Sequence, residues 1–123
     1  MSDKLPKLQA MLEKQPNDPF LLYGIAMEHK KMNDHATALN FLDRCIAADP
    51  NYFDALYGLG LTLIASTERA QIQEGANTLA EFVAKAPATD KRVPIVKDAL
   101  EGVKNAYKVE AEKPASTGRR KKP

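Results

Sequence analysis

Two similar hexapeptides, LYGIAM at residues 22–27 and LYGLGL at residues 56–61, lie 34 residues apart in the chain. Three prolines follow a related spacing, with intervals of 34 and 37 residues. Each proline ends a segment in which apolar residues recur at i, i+3 and i+4, the spacing of one helix face. Because proline stops a helix, the pattern predicts three helices of one design. The three sets are Leu8, Met11, Leu12 and Pro16; Leu42, Cys45, Ile46 and Pro50; and Leu79, Phe82, Val83 and Pro87.

A second type of helix is predicted between these three. Asp18 and Pro19 form a suitable N-cap and first turn for one such helix, and Asp34 is a suitable N-cap for the helix after it. Alternation of the two types predicts antiparallel helix hairpins in series and an all-α fold. The packing faces of the second type are Leu22, Ile25, Ala26 and His29, and then Leu56, Leu59, Gly60 and Leu63.

This spacing resembles the tetratricopeptide repeat, which has a period of about 34 residues and a W-x2-L-G-x2-Y…A-x3-F…P signature. Residues 19–52 and 53–89 each follow it, residues 4–18 match its second helix alone, and residues 90–108 are predicted to be a capping helix. Leucine replaces the signature tryptophan in both copies, and His29 or Leu63 replaces the inner tyrosine. The resemblance implies a right-handed α-solenoid of about six helices, in which the first helix of each repeat lines a concave groove.

Charge and composition predict one helical domain over residues 1–109 and a disordered basic tail over residues 110–123. The chain has 123 residues, 44% of them hydrophobic, and a formal charge of +2. The tail carries a net charge of +3 and residues 1–109 carry −1. The domain therefore offers no basic face for nucleic acid, and we do not expect nucleic acid as its partner. No apolar run reaches the length of a signal peptide or a membrane span, which predicts a cytoplasmic protein.

Residues able to support catalysis or bind a metal are few. Cys45 is the single cysteine, so it cannot form an intrachain disulfide, and its place on a packing face predicts an inert core thiol. His29 falls on a packing face and His35 in a turn, and no Cys/His spacing typical of zinc occurs. We therefore predict no enzyme, no metal and no cofactor.

A second arc of the first helices carries apolar and aromatic residues where a solvated face would be polar. Methionine and tyrosine suit adaptable binding surfaces, so the arc predicts a groove that binds an apolar or aromatic segment of a protein. The predicted site comprises Phe20, Tyr23, Gly24, Met27, Lys30, Lys31, Asp54, Tyr57, Gly58, Leu61 and Ile64. In this reading the two glycines let a ligand or a packed helix approach the backbone beside the tyrosines. Burial of the arc inside the protein, or by a second copy, is the alternative.

Some relatives of the repeat bind the carboxylate terminus of chaperones through a lysine–asparagine clamp. The corresponding positions here hold Tyr23, Met27 and Gly58, so a clamp of that kind is not predicted. The leading hypothesis is a non-enzymatic adaptor or scaffold for protein–protein interaction, and the second is a self-associating assembly unit. A third is a weak electrostatic tether to nucleic acid or another acidic surface through Arg119, Arg120, Lys121 and Lys122.

Overall fold

A computed structural model describes residues 3–112, which form six α-helices and no strand. The all-α prediction and the number of helices are confirmed for this part of the chain. The handedness of the predicted solenoid stays a prediction. The predicted tail cations Arg119, Arg120, Lys121 and Lys122 lie outside the described residues. The helices are α1 (Leu5–Lys14), α2 (Pro19–Lys31), α3 (His35–Ala48), α4 (Phe53–Ile64), α5 (Arg69–Lys85) and α6 (Arg92–Tyr107).

Local side chains start the helices where the sequence predicts. Asp18 Oδ1 accepts hydrogen bonds from the backbone N–H groups of Phe20 (2.9 Å) and Leu21 (3.2 Å) at the start of α2. Asp34 Oδ1 accepts one from the N–H of Thr37 (3.3 Å) at the start of α3. These bonds satisfy backbone donors that the first turn of a helix leaves unpaired, so both predicted N-caps are confirmed.

The start of α6 lacks a side-chain N-cap. Lys91 occupies the cap position and makes no side-chain cap bond. Asp90 Oδ1 instead accepts from the backbone N–H of Arg92 at 2.9 Å, and the same carboxylate binds the guanidinium of Arg92. Asp90 therefore organises the turn before α6 through Arg92.

The chain divides into two compact units after Ala55. Residues 3–55 of the described chain make up the N-terminal unit, in which α2 packs against both α1 and α3. Small residues stand at Ala26 of α2 and Ala38 of α3, and both are almost completely buried. The rest of this core consists of Leu21, Leu22, Ile25, Leu42, Cys45, Ile46 and Ala55.

Residues 56–112 make up the C-terminal unit, where α4 and α5 approach so closely that two glycines have no room for a side chain. A Cβ on Gly75 would lie 2.8 Å from the backbone nitrogen of Ile64 and 2.8 Å from Cβ of Leu63. A Cβ on Gly60 would overlap the side chain of Leu79. Sterics therefore explain why both positions hold glycine.

The segment after α6 contains Val109, the last residue of the predicted domain, and residues 110–112 of the predicted tail. The backbone turns at Lys108, and Val109 is only 2% exposed, in a cluster with Ile72, Ala76 and Val103. Residues 110–112 are exposed, but bonds from α5 to the backbone of Glu110 and Glu112 hold this stretch against the C-terminal unit.

Candidate functional site

The part of the predicted site in the N-terminal unit is a stripe along α2. Phe20, Tyr23 and Met27 follow the i, i+3, i+7 spacing of one helix face. Phe20 is 69% exposed, whereas Tyr23 and Met27 are half-buried. The Tyr23 ring packs against that of Tyr52, with 5.4 Å between centroids and a tilt of 40°. The stripe is therefore exposed to solvent at the first turn of α2, and farther along it Tyr23 packs against Tyr52.

Two lysines end this helix and give the stripe a basic end. The Lys31 ammonium lies 3.1 Å from Glu28 Oε2, one helical turn back. Lys30 is half-buried. Cations in the last turn of a helix also interact favourably with its dipole, so a structural role accounts for part of this charge.

Gly24 lies on the side of α2 that meets α1. A Cβ on Gly24 would make ordinary van der Waals contact with Leu8 of α1, at 3.5 Å from its Cδ1 atom. Of the two predicted reasons for this glycine, approach of a ligand or of a packed helix beside Tyr23, the contact with α1 agrees with the second. A methyl group would fit there without displacing the backbone.

In the C-terminal unit the predicted site residue Tyr57 is half-buried against residues of its own unit. Its ring is tilted against that of Phe82, with centroids 5.8 Å apart. The Arg92 guanidinium lies 5.3 Å from the Tyr57 centroid and 5.2 Å from the Phe82 centroid, within range of cation–π attraction. An Arg92–Asp90 ion pair of 2.8 Å fixes that guanidinium. Hydrogen bonds from Arg92 lower the pKa of Asp90 to about 2.

The other predicted residues from α4 differ in exposure. Gly58 is buried, and its carbonyl oxygen accepts a 2.8 Å hydrogen bond from Thr62 Oγ1. Ile64 is half-buried and packs against the cluster around Val103, while Leu61 is half-buried as well. Asp54, which belongs to the N-terminal unit, is exposed. The predicted arc is thus most open on α2, and Tyr57 and Ile64 of α4 take part in internal packing.

Cys45 has the environment of a core thiol. It is fully buried, and its Sγ donates to the carbonyl oxygen of Pro19 at 3.3 Å. Burial, followed by the charges of Asp49 and Asp54, raises the pKa of the thiol to about 12. Because the thiolate is the reactive form, this cysteine is a poor nucleophile near neutral pH.

His29 is held by packing and by an acidic neighbour. Its ring stacks on Phe41 with centroids 6.0 Å apart, and its Nδ1 lies 3.3 Å from Asp34 Oδ2. Within residues 3–112 no cluster of three or more His, Cys, Asp or Glu side chains has a geometry that could hold a metal ion.

The partners of the two tyrosines are what the sequence analysis missed. Tyr52 precedes α4 in a turn, and Arg92 is 35 residues from Tyr57, so no local spacing links these side chains. Helix periodicity assigns a residue to a face, but it does not say which distant residue covers that face.

No described helix has the length and apolar character needed to cross a membrane. No protein-family model matches the chain, and neither a curated protein nor a solved structure does.

Proposed function

We propose that this protein is a small, non-enzymatic adaptor of the tetratricopeptide type, which binds an apolar or aromatic segment of a partner protein along α2. The observation that carries the proposal is the exposure of Phe20, 69% of whose surface faces water at the start of a stripe that continues through Tyr23 and Met27. Exposed aromatic residues aligned on one helix face favour an interaction surface.

The chemistry of the stripe suggests the ligand. Phe20 offers a whole aromatic face, Tyr23 a ring backed by Tyr52, and Met27 an adaptable thioether. Lys30 and Lys31 follow on the same helix and favour acidic residues beside the apolar segment. A surface of this size supports an affinity on the order of micromolar.

The test compares two exposed apolar residues that lie in different units. Phe20→Ala removes the most exposed aromatic of the stripe, and Ile95→Ala, on α6, removes a side chain that is 54% exposed. Wild-type protein and both variants are immobilised, and the proteins captured from a native lysate are quantified by mass spectrometry. We expect Phe20→Ala to lose proteins that Ile95→Ala retains. Identical captured sets for all three would refute the assignment to α2.

Self-association is the second candidate, because Phe20 in the N-terminal unit and Ile95 in the C-terminal unit both expose apolar surface. Sedimentation velocity over a wide concentration range separates the candidates. A concentration-dependent dimer that Phe20→Ala abolishes would assign the stripe to self-association, whereas a monomer throughout excludes it. A cytoplasmic location is part of the proposal and agrees with the buried free thiol of Cys45.

A further inference from the structure

The chain's own C-terminal segment, residues 108–112, lies against α5 in the manner of a bound peptide, and we call it the strap. Lys108 adopts a left-handed conformation (φ 58°, ψ 36°) that turns the backbone away from α6. Val109 then inserts among Ile72, Ala76 and Val103, where it is 2% exposed. The strap contains no helix or strand. Its contacts with side chains of the C-terminal unit therefore hold it in place.

Three polar side chains of α5, spaced four residues apart, bind the backbone of the strap and of the residue before it. Arg69 donates to the carbonyl oxygens of Tyr107 (2.7 Å) and Lys108 (3.3 Å). Gln73 Nε2 donates to the carbonyl oxygen of Glu110 at 2.7 Å. The backbone N–H of Glu112 donates to Asn77 Oδ1 at 2.7 Å, and Gln73 Nε2 donates to the same oxygen at 3.0 Å.

The spacing of these bonds matches an extended peptide. Four residues of α-helix advance about 6 Å along the axis. Two residues of extended chain advance about 6.7 Å. Arg69, Gln73 and Asn77 therefore meet alternate residues of the strap. This ladder recognises main-chain atoms, so it does not depend on the sequence of the peptide that it binds.

Two features of the C-terminal unit contact side chains of the strap rather than its backbone. The apolar cluster takes the β-branched Val109, and the Lys104 ammonium lies 3.1 Å from the Glu110 carboxylate. An open depression of about 550 Å³ borders the strap, lined by Gln73, Lys104, Asn105, Lys108, Glu110, Ala111 and Glu112. Four of these seven residues belong to the strap itself, so the depression is part of the arrangement in which the strap is bound.

We propose that the α5 face bearing Arg69, Gln73 and Asn77, together with Lys104 of α6, is a docking site for an extended segment of another protein that carries a β-branched apolar residue followed by an acidic one. The strap is the competing occupant of this site. This surface is distinct from the α2 stripe, and the proposal does not depend on it. A tethered segment has a high effective concentration, so the strap weakens binding of a ligand from outside.

The test uses the full chain and a fluorescent peptide with the sequence of residues 107–112, YKVEAE. Val109→Gly removes the anchor of the strap and leaves the ladder intact. We expect the peptide to bind Val109→Gly at least about tenfold more tightly than wild type, because the competing occupant is weakened. Adding Gln73→Ala and Asn77→Ala to Val109→Gly should remove this gain, and a peptide with glycine in place of valine should not bind.

Several results would overturn the proposal. Equal binding to wild type and Val109→Gly would mean that the strap does not compete, and equal binding after loss of Gln73 and Asn77 would mean that the ladder is not the site. A wild-type dimer that excess peptide dissociates would assign the site to the strap of a second copy.

If Val109→Gly does not fold, the same question is put to the wild-type chain by NMR. Excess peptide should shift the Val109 methyl resonances toward those of a solvent-exposed valine, since displacement removes them from the apolar cluster. Val109 resonances that stay unchanged while the peptide is in large excess would overturn the proposal.

Discussion

Replacement of Gly75 by alanine tests the close contact between α4 and α5 in the C-terminal unit. In an exposed helix interior this change would stabilise the protein by about 0.5–1 kcal/mol, because glycine loses more backbone entropy on folding. Here the new Cβ would lie 2.8 Å from the backbone nitrogen of Ile64 and 2.8 Å from Leu63 Cβ. Neither atom is the free end of a flexible side chain, so α4 and α5 must move apart.

Overpacking of a close contact costs about 1–3 kcal/mol. The net expectation for Gly75→Ala is therefore a loss of about 0–2.5 kcal/mol in the free energy of unfolding, after the helix-propensity gain is subtracted. Gly102→Ala is the matched control, because nothing lies within 4 Å of a Cβ built on Gly102 in α6. It should gain about 0.5–1 kcal/mol.

Urea unfolding followed by circular dichroism measures both changes through the midpoint concentration, provided that the slope m is unchanged. A gain for Gly75→Ala as large as that for Gly102→Ala would refute the close approach of α4 and α5. A change in m for Gly75→Ala would show that the substitution alters the native or unfolded ensemble rather than one contact.

Four further substitutions test local features of the two units. The raised pKa of Cys45 means that the native state holds a proton which the unfolded chain releases above pH 9.0, so stability should fall as pH rises toward about 12. Cys45→Ala should make this fall shallower, as measured by urea midpoints across the alkaline range, and Tyr52→Phe should do the same because burial raises the pKa of Tyr52 to about 12. The pKa of Asp90 is lowered from 3.8 to about 2, so the stability that its carboxylate contributes is present above pH 3.8 and is lost as the pH falls through 2. Asp90→Asn should therefore make the fall of the melting temperature at acid pH shallower. Lys108→Gly should raise the melting temperature, because glycine removes about 1 kcal/mol of left-handed backbone strain at φ 58°. The greater backbone entropy that glycine loses on folding offsets part of this gain. An unchanged or lower melting temperature would contradict this prediction.

Local chemistry explains why the helices could be predicted. Asp18 and Asp34 act on backbone groups two or three residues away. The apolar spacing before Pro50 reports the face that α3 buries, whereas the same spacing before Pro16 does not, because no residue of α1 is buried and Met11 is 53% exposed. Such signals lie within a few residues of the feature that they determine, so one sequence is enough to read them.

The strap could not be predicted by the same reasoning. Its composition contains one aliphatic anchor, Val109, and its bonds come from Arg69, Gln73 and Asn77, more than thirty residues earlier. The i, i+4, i+8 spacing of these three residues was a signal present in the sequence, but such a row on a helix is most often a solvated face. Only the placement of the chain end against α5 distinguishes the two.

The repeated Leu-Tyr-Gly shows how one motif acquires two roles. Tyr23 packs on Tyr52 and stands next to the exposed Phe20, whereas Tyr57 is held by Phe82 and by the guanidinium of Arg92. A ligand at Tyr57 would have to compete with an arginine already paired with Asp90, but a ligand at Phe20 displaces only water from the exposed part of the ring. The cost of binding is therefore lower on α2, so the first copy of the motif is where recognition of a partner is expected.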